Sequence, residues 1–275
     1  MIPATDRPSF RRLWRQWKGL FNIYIQDGLA YRAQGFIWVL VDAATAITMP
    51  AVWIAASKGG LIQGYSPNDF ILYYLSILLI GSFVTCHFMW DIGNEIREGI
   101  FSAQIIRPVS WFQYIIVRNF AWRLIRSTIF LPLFILFMVI YSPDMSGWSL
   151  NLGWEFWVAV VLGHLVSVCF VAAMSMIALF TQEAHAIFEL YYFPMLFLSG
   201  QMFPVALLPD WAQSLAVIFP FYYTTGAPTE ILIGRMTGPG IYAIFAIQIG
   251  WILGSYVLYR ILSHYGLRYY TGVGM

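Results

Sequence analysis

Residues 93–108 read Gly-Asn-Glu-Ile-Arg-Glu-Gly-Ile-Phe-Ser-Ala-Gln-Ile-Ile-Arg-Pro. The run carries Glu95, Arg97, Glu98 and Arg107 in a chain of which only 10% is charged. Long apolar runs lie on both sides of it. Ile96, Ile100 and Phe101 share one face at helical spacing, and Ile105 extends that face. Glu95 and Glu98 sit near the start of such a helix, where the helix dipole favours anions. Pro108 is a stop signal. The pattern predicts a short amphipathic helix at a water interface between two membrane spans. An ordinary loop helix carries the same periodicity, so the pattern alone leaves its role open.

The apolar runs decide the class. The chain of 275 residues is 60% hydrophobic, with a mean hydropathy of +0.70. A soluble domain usually carries about 25% charged residues, because its surface must face water. A chain this apolar is read as one whose surface faces lipid. Its 12 Trp, 17 Tyr and 22 Phe agree, since aromatic rings gather at headgroup level. Cys86 and Cys169 lie in apolar runs, with no disulfide or metal spacing. Arg7, Arg11, Arg12, Arg15, Lys18 and Arg32 crowd the start without an apolar core between them, so no cleavable signal peptide is expected.

The expected fold is an all-α polytopic membrane protein, a single transmembrane domain over residues 1–275 with six spanning helices. An N-terminal interfacial helix over 8–31 comes first. Phe10, Leu13, Trp14, Trp17, Phe21 and Tyr24 recur at steps of three and four, with Arg11, Arg12, Arg15 and Lys18 in between. Such a helix lies flat, with rings in the headgroups and cations toward anionic lipid. The aromatic stripe needs burial, so membrane lipid is its expected partner and nucleic acid is not. Spans are expected at 35–56, 69–90, 120–141, 154–180, 186–199 and 241–259, of which 186–199 is short. Residues 200–223 are apolar but broken by Gly200, Pro204, Pro209 and Pro220. They read as a pair of short re-entrant or interfacial helices, shielded by protein or a polar cavity.

With the N-terminus in the cytoplasm, all of the 15 Lys and Arg except Lys58 and Arg235 fall on the cytoplasmic side. Short-loop cations follow that rule. It places both termini and residues 93–108 in the cytoplasm and requires an even number of spans.

Charges within spans are expensive. Asp42 in the first span and Glu189 in the fifth stand for a helix or dimer interface, a substrate contact or proton coupling. Glu183 and His185 flank a polar break and read as interface or gating residues. Tyr222 belongs to an aromatic cluster at 219–223 that lines an exit path or anchors the interface. Glu230 on the outer side is a candidate for drawing a cationic group. Arg118, Arg123 and Arg126 open the third span and are expected to snorkel to the interface. His87 and His164 read as packing hydrogen bonders. No Ser, His and Asp constellation, metal set or phosphate-cradling glycine loop is legible.

From Glu95 to Ser110 the run Glu-Ile-Arg-Glu-Gly-Ile-Phe-Ser-Ala-Gln-Ile-Ile-Arg-Pro-Val-Ser resembles the loop between the second and third spans of ABC-2 type transporter permeases. There an acidic residue, a Gly, an apolar run and Leu-Arg-Pro-Val-Ser follow in order; Ile106 stands here where Leu is common. The likeness extends over nearly the whole chain. It implies the transmembrane subunit of an ATP-driven export system in the bacterial cytoplasmic (inner) membrane. Two permease chains, identical or homologous, would pair. Two ABC ATPase subunits would dock on the coupling helix through Glu95, Arg97, Glu98, Ile100, Phe101 and Arg107, and on the N-terminal helix. No cofactor is expected in this chain, because ATP and Mg would sit on the ATPase partner. The substrate implied is amphipathic or lipid-like. The competing readings are a membrane-embedded lipid-modifying enzyme and an ion-coupled carrier using Asp42 and Glu189. The absence of an inverted second half weighs against common carriers.

Overall fold

Regular structure is helical throughout the described residues, apart from one isolated antiparallel bridge between Ile62 and Tyr65. A computed structural model describes residues 10–107, 109–141, 149–181 and 183–270. Arg7, Pro108, the loop with Pro143, Asp144 and Gly147, and the side chains of Phe10, Arg12, Leu13 and Arg32 lie outside the described residues. The helices are α1 (Phe10–Ala30), α2 (Arg32–Ser57), α3 (Pro67–Val84), α4 (Met89–Arg97), α5 (Ile100–Ile105) and α6 (Trp111–Ile140). Then come α7 (Trp154–Ser175), α8 (Ala184–Leu198), α9 (Asp210–Ile218), α10 (Phe221–Thr224), α11 (Gly226–Leu232) and α12 (Gly240–Tyr269).

Among the described residues, five segments are long and apolar enough to cross a membrane: Gly35–Ser57, Pro67–Arg97, Trp111–Ile140, Trp154–Leu179 and Gly240–Tyr269. α8 is apolar but has 15 residues. At 1.5 Å per residue it covers about 22 Å, short of the ~30 Å hydrocarbon layer. Burial sorts the spans. The most apolar window of Pro67–Arg97 is 72% buried, against 22% for Gly35–Ser57. The α3–α4 segment is therefore the centre of the bundle, and α2 lies on its outside. α12 packs along α7, α1 along α6, and α2 against α3 and α6. Buried Gln248 donates to the carbonyls of Ala159 (3.0 Å) and Tyr223 (2.8 Å), tying α12 to α7 and α10.

Two helix starts are set by capping boxes. Ser66 accepts from the Asp69 amide while Asp69 accepts from Ser66 N, with Pro67 in the first turn. Ser110 and Gln113 do the same for α6. The third spanning helix therefore begins at Trp111, well before residue 120, where its hydrophobic run becomes continuous. The second span is interrupted: α3 stops at Val84, and α4 resumes only at Met89.

Residues 200–223 are more divided than a helix pair. A 3-10 turn, Val205–Leu207, precedes α9 and α10, and α11 carries the series on to Leu232. α8 leads into this region from the far end of the bundle. Near its start His185 lies against Gly93 of α4. Just past its end Tyr73 and Tyr74 of α3 donate to the carbonyls of Gly200 and Met202, both at 2.8 Å.

Candidate functional site

Two polar regions stand out, and they lie on consecutive stretches of the same helices. The first is a platform where α4, α5, the start of α6 and the end of α12 meet. Gly99 at φ +77° turns the chain between α4 and α5, a conformation open to glycine at little cost. The run expected as one helix over 93–108 is therefore the end of α4, a turn and six residues of α5. The turn breaks the helical phase, and the expected apolar face divides. Ile96 and Phe101 are buried, while Ile100 and Ile105 are exposed.

Glu95 faces inward. Its carboxylate accepts from Gln104 Nε2 (3.0 Å) and Tyr114 OH (3.1 Å) and pairs with Arg118. Arg118 also reaches Asp91 at 3.6 Å. Phe101 meets Trp111 and Tyr270 edge-on, and Ser102 Oγ lies 2.9 Å from Tyr270 OH. The outward residues are Arg97, Glu98, Ile100, Ile105, Ile106 and Arg107, with Ile106 84% exposed. Exposed isoleucines inside a charged rim are the composition of an interaction surface.

α1 joins the platform through Tyr24, whose ring meets Tyr114 edge-on at 5.4 Å. Burial pushes the Tyr24 phenol up. On α1, Arg11, Trp14, Arg15 and Lys18 are exposed and Trp17 is half-buried.

The second region, termed the groove, is a partly buried polar cluster beside the α3–α4 break. Asp42 of α2 pairs with Arg126 of α6. Trp90 Nε1 donates to Glu189 of α8 at 3.1 Å. The Tyr192 ring meets Trp90 (5.5 Å) and His87 (5.7 Å) edge-on. Asp42 thus enters this region through Arg126, and Glu189 through Trp90.

Arg123 and Arg126 do not snorkel. Both are buried, Arg126 in its pair with Asp42 and Arg123 against the carbonyls at the break. Arg123 donates to the carbonyls of Ser82 (2.6 Å) and Gly81 (3.4 Å) at the end of α3; the Gly81 carbonyl also accepts from the Thr85 amide, and helix-end carbonyls such as that of Ser82 need partners from outside the helix. His164 Nδ1 lies 3.2 Å from Val84 O, and Cys86 N donates to Ser167 at 2.9 Å. Broken backbone at membrane depth is tolerated when satisfied in this way.

His185 sits between the two regions, its Nε2 buried and without a hydrogen-bond partner. Tyr222 belongs to neither. It donates to Glu230 Oε2 at 2.6 Å, in the short-helix region near Arg235 and Tyr65. Trp90 and Tyr192 are groove residues that sequence reading overlooks, and Arg126 is one that it sends to the interface. Two arginines three apart in an apolar run, with Asp42 in another, were the available signal for Arg126.

No cluster of His, Cys, Asp or Glu among the described residues is arranged to hold a metal. A family profile described as ABC-2 family transporter protein matches residues 43–274. The chain belongs to the ABC-2 transporter family. Curated proteins and solved structures give no match. Family membership makes the chain a transmembrane transport subunit and implies ABC ATPase subunits as its partners. The match takes in the platform and almost all of the groove; α1 and Asp42 precede it.

Proposed function

We propose that the chain is the membrane half of an ATP-driven exporter that moves an amphipathic or lipid-like substrate out of the cytoplasm or inner leaflet. Two ATPase subunits dock on the platform, and a second permease chain completes the pathway. The observation that carries this reading is the outward patch of Ile100, Ile105 and Ile106, set among Arg97, Glu98 and Arg107. Glu95 and Phe101 serve docking from behind, by making the platform rigid. A rigid platform on the end of the α4 segment passes a push from the ATPase into the α3–α4 break, and so biases the bundle between conformations.

Six crossings fit this reading. The stretch from α8 to Met202 runs from Gly93 to Tyr74 and serves as the fifth. Both termini and the platform then face the cytoplasm of a bacterial inner membrane, in keeping with the excess of cations on that side. α1 lies along the same surface with Arg11, Arg15 and Lys18 toward anionic lipid.

The test is copurification of ATPase subunits with the solubilised chain. Ile106→Asp and Glu98→Arg alter exposed side chains, so the permease still folds while ATPase recovery and ATP hydrolysis fall. Full recovery of the ATPase with both variants would overturn the docking assignment. A chain that purifies alone and shows its own enzymatic or ion-coupled activity would overturn the exporter.

A further inference from the structure

The groove holds more hydrogen-bond donors than it uses. Arg123 Nε, Arg126 Nε and His87 Nε2 are buried and have no partner. Arg123 and Arg126 stand one turn apart on α6, and Arg123 holds the carbonyls at the end of α3, beside the break in which His87 lies. An arginine Nε only donates, and a histidine nitrogen donates or accepts with its tautomer.

The charges are also unevenly matched. Asp42 is paired with Arg126. Glu189 is exposed at the rim and takes the Trp90 indole. Arg123 donates to carbonyl oxygens and has the Cys86 side chain beside it, with no carboxylate of its own in an ion pair among the described residues, and arginine does not shed its proton in a protein. Helix-end carbonyls offset part of a charge, which leaves a buried cation short of a full partner. Buried charge of that kind is costly unless paired. Trp90 and Tyr192 stand half-buried beside it.

We propose that this groove binds the anionic head of an amphiphile, a phosphate, sulfate or carboxylate, through Arg126 and Arg123. Asp42 occupies Arg126 while the groove is empty and yields it to the incoming anion. Trp90 and Tyr192 line the path of the adjoining apolar segment. The assignment gives the transport reading its substrate class and rests on that reading for its physiological meaning.

The test uses the full chain in phosphatidylcholine nanodiscs and dodecyl phosphate as the probe, with empty discs as baseline and dodecyl maltoside as the neutral match. Dodecyl phosphate is expected to bind saturably, with dodecyl maltoside unable to displace it. Arg126→Gln weakens binding about tenfold, the size of one charge-assisted hydrogen bond. Asp42→Asn tightens it several-fold, because the competing carboxylate is gone; a purely structural ion pair would give no such gain. His87→Leu leaves the ion pair in place and weakens binding by a smaller factor. Equal competition by dodecyl maltoside overturns the proposal with the unaltered chain alone, whether or not a variant folds. Weaker phosphate binding by a folded Asp42→Asn chain overturns it as well. No ATPase is needed for these measurements. Lost anion selectivity with docking intact rejects this site alone, and lost docking with selectivity intact rejects the exporter reading alone.

Discussion

Glu95 of α4 and Arg118 of α6 form an ion pair that also takes in Gln104 and Tyr114, so one carboxylate fastens α4, α5 and α6 together. The Glu95 side chain is only 13% exposed. Glu95→Ala therefore leaves two donors and a cation without their acceptor, at a cost of about 2–3 kcal/mol. The loss is read as a lower thermal midpoint of the solubilised chain. Glu95→Gln, which still accepts from Tyr114, is expected to lose less. Glu98→Arg, on the exposed side of the same turn, is expected to leave the midpoint almost unchanged.

Gly99 sets the angle between α4 and α5. Gly99→Ala forces an L side chain into the left-handed region, at a cost of about 1 kcal/mol. The obstacle is the φ of +77°. The variant is expected to fold with a small drop in midpoint but a larger drop in ATPase copurification, because the exposed isoleucines are re-aimed. Gly99→Asn, which tolerates that backbone better, is expected to recover part of the loss.

The membrane class and the five long spans were legible because hydropathy is a sum over some twenty residues and survives errors at single positions. Direction was not legible. Glu95 and Glu98 are the same residue type three apart, yet one is internal and the other exposed: Glu95 lies within α4, while Glu98 caps its end at the turn where Gly99 breaks the helical phase with Ile100 and Phe101. The groove was half legible. Asp42 and Glu189 stood out as charges in apolar runs. Their neighbours Arg126 and Trp90 are found only once α6 folds beside α2 and α4 beside α8. The early start of α6 was readable from Ser110 and Gln113, but it is masked when the hydrophobic run alone is followed.

Glu230 makes stability depend on pH. Burial raises its carboxyl above the ordinary carboxylate range, against the opposing pulls of the Tyr222 hydroxyl and Arg235. The folded chain thus holds this proton more tightly than the unfolded chain does. The associated stability is fully present below the ordinary carboxylate value and is lost as pH rises through the raised one. Glu230→Gln removes the titration and keeps an acceptor for Tyr222. The thermal midpoint of the variant is expected to exceed that of the unaltered chain at neutral pH, with the gap closing as pH falls into the ordinary carboxylate range. A gap that does not change with pH would show that Glu230 is not the group responsible.

Arg235 closes the same end of the bundle over Tyr65. Its guanidinium lies 3.5 Å from the centre of the Tyr65 ring, and Nη1 donates to Gly64 O at 3.2 Å. Burial, the largest influence on the Tyr65 phenol, pushes it up to about 12, so the ring stays neutral at physiological pH and offers its π face to the cation. The Ile62 and Tyr65 amides bond to each other's carbonyls at 3.0 and 2.9 Å, holding the loop in the shape that Arg235 covers. Arg235→Lys keeps the charge but loses the flat stacking surface and the fixed donor geometry. The stacking and the Gly64 hydrogen bond are together worth about 1–2 kcal/mol. Amide exchange at Ile62 and Tyr65 is therefore expected to quicken by roughly tenfold in Arg235→Lys, and somewhat more in Arg235→Met, with amides of α7 unchanged. Equal exchange in Arg235→Lys and the unaltered chain would mean that charge alone closes this end, and that the planar contact with Tyr65 contributes nothing.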